Sequence, residues 1–333
     1  MTAILNTTAA TAFNPVEVPM SFFAPAPQMT MLGYQPDHPL KSYVPSEEPG
    51  YIHRKDFMRE YRSWHNAPGE MGFMIVGPTG SGKSTAVLAV NHHLNIPTIL
   101  VSCHRDMSLL ELKGTMQFVT DPNSQQTITK HQLGPVAMAF KYGMTLIMDE
   151  QNLLDPGVNA GLNETIRGKT MVIEATGEVI KRHPMFRYVA TGNDWGRGDA
   201  EMRLAGINQQ NAAYLNRFWK FNMGYPDRDT EISILTSKYP NLPANILEGM
   251  VDCAAVVRPC IRGIGPAETA TLDVDFSTRT LLFWADVTLR FAQAPNPLSY
   301  ALDVALLRAC NQVERQVIEQ ACKDKLGDAF GGV

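Results

Sequence analysis

The stretch Gly77-Pro78-Thr79-Gly80-Ser81-Gly82-Lys83-Ser84 constrains this chain more than any other feature. It fits G-x-x-x-x-G-K-[ST], directly follows the apolar run Phe73-Met74-Ile75-Val76, and opens a helical segment. Glycines there let consecutive backbone N–H groups converge on phosphate oxygens without Cβ clashes. The helix start behind the loop adds a dipole that favours an anion. Lys83 is then placed to reach the β and γ phosphates and the Ser84 hydroxyl to ligate magnesium, with Thr85 closing the set of candidate nucleotide-binding residues. Average composition produces this pattern by accident in roughly one chain in a hundred, and requiring a strand before it and a helix after it makes accident rarer. The bland alternative is a Gly-rich turn that holds no nucleotide.

The pattern around the loop is that of an open α/β sheet. Short apolar runs at residues 73–76, 98–102, 145–148, 187–190 and 219–223 alternate with helix-like segments such as 84–94 and 134–142. Such alternation predicts a parallel sheet covered by helices on both faces. Past Tyr225-Pro226-Asp227 the strand signals fade, and helices are expected at 229–238, 244–257, 278–292 and 300–323, the first capped by Asp227 or Asp229. Residues 1–45 show no sustained period and read as an extended arm whose Phe13, Met20, Phe22, Phe23 and Met31 suit docking on a neighbouring subunit or partner. The expected division is an arm over 1–45, a nucleotide-binding α/β core over 46–225 and a small helical lid domain over 226–333.

With 333 residues and 44% hydrophobic composition, the chain can bury a sizeable core. No run of about 18 apolar residues occurs, and the first residues lack a basic segment followed by an apolar one. Neither a membrane span nor a secretory signal is expected, so the cytoplasm is the expected compartment. The five cysteines form no C-x-x-C pair and read as buried thiols. A net charge of -4 without a basic block gives no standing footprint for nucleic acid, although a local basic pore is compatible with that average.

The second acidic motif separates a hydrolase from a kinase. Thr145-Leu146-Ile147-Met148-Asp149-Glu150 is an apolar strand ending in two carboxylates. Where the chain turns at the strand's end, Asp149 can hold the magnesium shell while Glu150 reaches an attacking water. A general base following the magnesium aspartate suits hydrolysis of a nucleoside triphosphate; the alternative is a solvated acidic pair.

With these motifs placed, the chain resembles the AAA+ ATPases, and more narrowly the MoxR-like branch with the small ATPase subunit of the aerobic cobaltochelatase, over about residues 45–295. Phe186-Arg187-Tyr188-Val189-Ala190-Thr191-Gly192-Asn193 is similar to the family's fourth core strand, which implies that Asn193 is the sensor-1 residue orienting the hydrolytic water. Leu215-Asn216-Arg217-Phe218-Trp219 is similar to the arginine-finger segment, with Asn216 in place of the usual Asp. Arg217 is then the candidate to reach a neighbour's γ phosphate, with Arg203 and Arg197 in reserve. Ser277-Thr278-Arg279 resembles the sensor-2 helix start, with Thr278 where the family has Pro, and implies a γ-phosphate contact for Arg279. Two expected hairpins, over 114–132 and 170–181, match the branch's inserts, and 199–216 resembles the cobaltochelatase subunit.

The resemblance implies a homo-oligomeric ring, a hexamer, hydrolysing ATP with Mg2+. Each site would combine the loop and carboxylates of one subunit with Arg217 of the next, and a client protein or a partner carrying a von Willebrand factor A domain would receive the motion. A nucleic-acid motor is the competing reading, against which stand the acidic charge and the lack of an added basic arm. A non-hydrolysing nucleotide-binding scaffold is a third, disfavoured by Glu150.

Overall fold

In the computed structural model of the chain, residues 14–120, 126–194, 212–261 and 272–331 are described. The chain forms two units. The first contains the residues up to Glu47, Lys55–Val76 and Lys83–Asn222; the second contains Met223–Val333 with two short inserts, Glu48–Arg54 and the loop Gly77–Gly82.

The first unit runs through β1 (Val16–Pro19), β2 (Thr30–Gly33), α1 (Lys55–Asn66), β3 (Gly72–Val76), α2 (Lys83–His93), β4 (Thr98–Ser102), α3 (Leu109–Lys113), β5 (Gly114–Thr120) and β6 (Thr127–Leu133). It continues through α4 (Pro135–Tyr142), β7 (Thr145–Asp149), α5 (Pro156–Gly161), α6 (Asn163–Arg167), β8 (Thr170–Val172), β9 (Val179–Lys181), β10 (Arg187–Gly192), α7 (Ala212–Leu215) and β11 (Phe218–Asn222). Five of these strands form a sheet in the order β11-β3-β10-β7-β4, with every pairing parallel.

Every residue of β3 and β10 is buried, which is why these strands read as continuous apolar runs rather than alternating ones. On one face, Met74 and Val76 join Leu146, Met148, Tyr188 and Ala190 in a core closed by α4 through Val136 and Phe140. On the other, the Phe57, Tyr61 and Trp64 rings of α1 lie 5.1–6.2 Å from Phe73. Truncating such a fully buried ring costs about 3–5 kcal/mol, so this aromatic face fixes α1 on the sheet.

The residues expected as an extended arm differ from that expectation from residue 14 onward. They form the β1–β2 ribbon and turns that bury Met20, Met31, Tyr34 and Leu40 in their own chain. Tyr34 Oη donates to the Gly143 carbonyl at 3.0 Å, and the buried His65 ring bonds the Leu32 carbonyl at 2.8 Å. Few long-range anchors suffice to order a segment without a period of its own, and sequence pattern does not reveal them.

The second unit is helical: α8 (Arg228–Lys238), α9 (Ala244–Val257), α10 (Thr278–Arg290), α11 (Pro297–Ala305) and α12 (Gln312–Leu326). Its own core gathers Leu247, Met250, Cys253, Leu281, Trp284, Leu302 and Ile318. Of the two aspartates offered as cap for α8, Asp227 fills the role, accepting from Thr230 N at 2.9 Å. The single helix expected over 300–323 is instead two. Asn311 accepts from the Val313 and Glu314 N–H groups while Glu314 accepts from Asn311 N, a capping box that starts a new helix.

Both expected hairpins are present. β5 and β6 pair from Gly114↔Leu133 to Thr120↔Thr127, with Phe118 81% exposed, and β8 pairs with β9. The turn at 121–124 lies outside the described residues. Among the described residues no helix is long and apolar enough to cross a membrane.

Candidate functional site

Parallel register brings the motif residues of the first unit to one end of the sheet. Gly192 lies opposite Val76, Ala190 opposite Met148, and Ser102 opposite Asp149, so β3, β10 and β7 finish together where α2 begins. Ser84, in the first turn of α2, donates its hydroxyl to Asp149 Oδ1 in a very short contact. Thr191 Oγ1 donates to the same oxygen at 2.6 Å and accepts from Glu150 N at 3.0 Å. Asp149 thus carries two hydroxyl donors and has no basic partner among the described residues.

Lys83, 9% exposed, donates to Asn193 Oδ1 at 3.1 Å, so the candidate phosphate lysine and the candidate sensor already meet. Glu150 takes a left-handed backbone, φ 56 and ψ 43, which ends the strand abruptly and leaves its side chain exposed. Beside Asp149 the Cys103 thiol is pushed up to about 12, by burial first and then by the Asp149 and Glu150 charges. Sequence reading missed Thr191, hidden inside an apolar strand, and Asn152, whose amide is buried, unpartnered and adjacent to Gly192.

The loop Gly77–Gly82 belongs to the second unit and is shaped by it. Gly80 and Gly82 have φ of 70 and 90, conformations that favour glycine. A Cβ on Gly80 would lie 2.5 Å from that of Ser277, whereas one on Gly82 would meet nothing within 4 Å. Gly80 is therefore required by packing as well as by its backbone, and Gly82 by its backbone conformation alone. The Ser81 hydroxyl is buried without a partner, a group awaiting an acceptor or donor. The Thr79 carbonyl accepts from Tyr225 Oη at 3.1 Å. Arg279, exposed at the start of α10, has its Cβ 3.4 Å from where a Gly80 Cβ would sit.

Arg217 is not brought to the Asp149 cluster. Its carbonyl accepts from Gly72 N at 2.9 Å, which puts it at the amino end of β3 and β11. Asp149 and Asn193 follow the carboxyl ends, about 13 Å away along the strand. Arg197, Arg203 and most of 199–216 lie outside the described residues.

The donor set suits magnesium with nucleotide. One carboxylate and one hydroxyl are hard oxygen ligands of the kind that hold Mg2+ when phosphates supply more of the shell. In the first unit the uncompensated acid at Asp149 is a feature that magnesium would satisfy, and in the second the unpartnered Ser81 hydroxyl is one that a phosphate would satisfy.

Comparison with known proteins agrees with this geometry. Residues 72–206 match the model of the AAA domain (dynein-related subfamily), and residues 231–324 match that of the CbbQ/NirQ/NorQ C-terminal region. The aerobic cobaltochelatase subunit CobS of Sinorhizobium sp is 26% identical over 84% of this chain and 82% of its own length. Uncharacterized proteins of Staphylococcus epidermidis and Staphylococcus aureus are 32% identical over 47% of this chain, which spans 56% of their length. A crystal structure of a Cytophaga hutchinsonii protein aligns with 85% of this chain and 91% of that one, at 17% identity and TM-score 0.42. With the parallel five-stranded sheet, the loop between β3 and α2 and the helical second unit in place, residues 72–206 match an AAA domain and the chain as a whole is similar to the MoxR-like AAA+ ATPases, with CobS among its relatives.

Proposed function

We propose that the chain is a Mg-ATP hydrolase that assembles as a ring, a hexamer, and uses turnover to remodel or activate a partner protein. The observation that carries this reading is the convergence of Ser84, Thr191 and Glu150 N on one strand end at Asp149, with Lys83 and Asn193 joined beside it. Ser84 and Asp149 would hold Mg2+, and backbone N–H groups of residues 77–85 with Lys83 would bind the phosphates. Bound magnesium supplies positive charge against the charge that builds on the transferred phosphoryl group.

The chain's own residues do the rest. Glu150, exposed at the strand end, accepts the proton of the attacking water, and the Asn193 amide orients that water. Lys83, already pre-positioned by Asn193, exchanges that partner for phosphate oxygen. Placement of Arg217 at the far end of the strands supports action on a neighbouring subunit's nucleotide rather than its own. Arg279, beside Gly80, reads the γ phosphate. The exposed Phe118 and Met116 of the β5–β6 ribbon support a protein client, and likeness to a cobaltochelatase subunit supports a recipient with a von Willebrand factor A domain.

The test is ATP turnover alongside binding. Glu150→Gln should retain Mg-ATP affinity and lose about 10²-fold or more in turnover. Mixed assemblies of Lys83→Ala with Arg217→Ala should regain activity that neither has alone. Normal hydrolysis by Glu150→Gln, or no rescue at any mixing ratio, would count against these assignments.

A further inference from the structure

A buried ion pair in the second unit is joined to the loop by a short chain of contacts. Glu231 of α8, 1% exposed, is gripped by both terminal nitrogens of Arg258, with Nη1 on Oε2 at 2.8 Å and Nη2 on Oε1 at 2.9 Å. Arg258 Nε donates to the Phe276 carbonyl at 2.9 Å, and its guanidinium lies over the Tyr225 ring, 4.1 Å from the centroid. Tyr225 Oη reaches the Thr79 carbonyl at 3.1 Å and Asp275 Oδ1 at 3.3 Å. From the other side of the carboxylate, Thr278 Oγ1 donates to Glu231 Oε1 at 2.6 Å. Thr278 opens α10, whose cap Ser277 packs on Gly80 and whose next residue is Arg279.

We propose that Glu231 and Arg258 are positioning residues, which through Tyr225 and Thr278 set the phosphate loop and the first turn of α10 as one piece. The inference rests on the nucleotide reading above and deepens it. A carboxylate has four lone-pair sites, and here three are taken by groups leading to two separate segments: Arg258 toward Tyr225 and Thr79, Thr278 toward Ser277 and Arg279. A bidentate pair resists rotation, so displacement at Thr79 is transmitted to α10 rather than absorbed.

Two conservative variants test the link. Tyr225→Phe removes the hydroxyl on Thr79 and keeps the ring under Arg258, and Thr278→Val removes the hydroxyl on Glu231 at nearly constant volume. Mg-ADP and Mg-ATP titrations of the full chain and thermal unfolding are measured for the wild type, both single variants and the double. Each single should weaken nucleotide binding about five-fold, and the double should be no weaker than the worse single, because both cut one link. A merely structural role moves the melting temperature and leaves the affinities in place. Wild-type affinity in Tyr225→Phe, or losses that add in the double, overturns the inference while leaving the ATPase reading intact. Absence of Mg-nucleotide affinity in the wild type overturns the reading itself.

Discussion

Asp149 in the first unit and Glu231 in the second are both carboxylates contacted by threonine hydroxyls, yet they end in opposite states. Glu231 is closed: an arginine neutralises it bidentately and Thr278 takes a further lone pair. Asp149 is open: Ser84 and Thr191 share a single oxygen, and among the described residues no cation answers its charge. Half-buried negative charge without a counter-ion is costly to keep, so a chain retains it where an exogenous cation completes it. The contrast teaches how to tell a structural acid from a ligating one when both are hydrogen-bonded: ask whether the charge is already answered.

The largest expected effect is at the closed site. Glu231→Gln leaves the Arg258 guanidinium buried without its partner, and should cost about 3–5 kcal/mol, read as a lower urea midpoint with an unchanged slope. A change below 1 kcal/mol would mean that Arg258 finds another acceptor, and the contrast would blunt. At the open site the balance reverses. Asp149→Asn should leave the metal-free protein as stable as the wild type or more so, while Mg-dependent turnover falls about 10²-fold, or about 2.7 kcal/mol. Marked destabilisation without magnesium would show Asp149 to be a structural acid after all.

His65 gives a third, smaller case, an ionisable group buried neutral. Burial, then the nearby Arg187 charge, pushes it from its ordinary 6.5 down to about 3. Its Arg187 neighbour is held by the carbonyls of His65 at 2.7 Å, Pro184 at 2.8 Å and Phe186 at 3.0 Å, with the Met185 sulfur at 4.0 Å. The unfolded chain takes up a proton at His65 near pH 6.5, whereas the folded chain resists until about pH 3. Stability from this residue is complete above pH 6.5 and declines by about 1.4 kcal/mol per pH unit as pH falls toward 3. His65→Gln should flatten that slope in unfolding titrations between pH 7 and 5.

The sheet was legible because most of its strands carry a run of consecutive apolar residues, β11 alone being broken in its middle by Lys220. Residues 98–102 match β4; β3, β7 and β10 extend one or two residues beyond the expected runs at one end, and β11 is displaced from its expected run by one residue. The loop was legible because phosphate cradles need glycines at fixed spacing. What escaped has a common cause: partners distant in sequence. Glu231 and Arg258 are 27 residues apart and Thr278 lies 47 from Glu231, with no period to announce them. Thr191 sits in Ala190-Thr191-Gly192 as one more small strand residue until register sets it on Asp149. The N-terminal ribbon escaped because its order comes from α1 and Gly143 rather than from itself. At Asn311 the signal was local, Asn-x-x-Glu, and a continuous helical period masked it.

Burial, reinforced by the charges at Asp149 and Glu150, makes Cys103 chemically silent. With a thiol pushed up to about 12 and 5% exposed, only about one molecule in 10⁵ carries the thiolate at neutral pH. Maleimides should spare it for as long as the strand end is intact, and modify it once that end opens. A count of labelled sulfurs at this one position therefore times the melting of the carboxylate end from within, using a reporter the chain already carries.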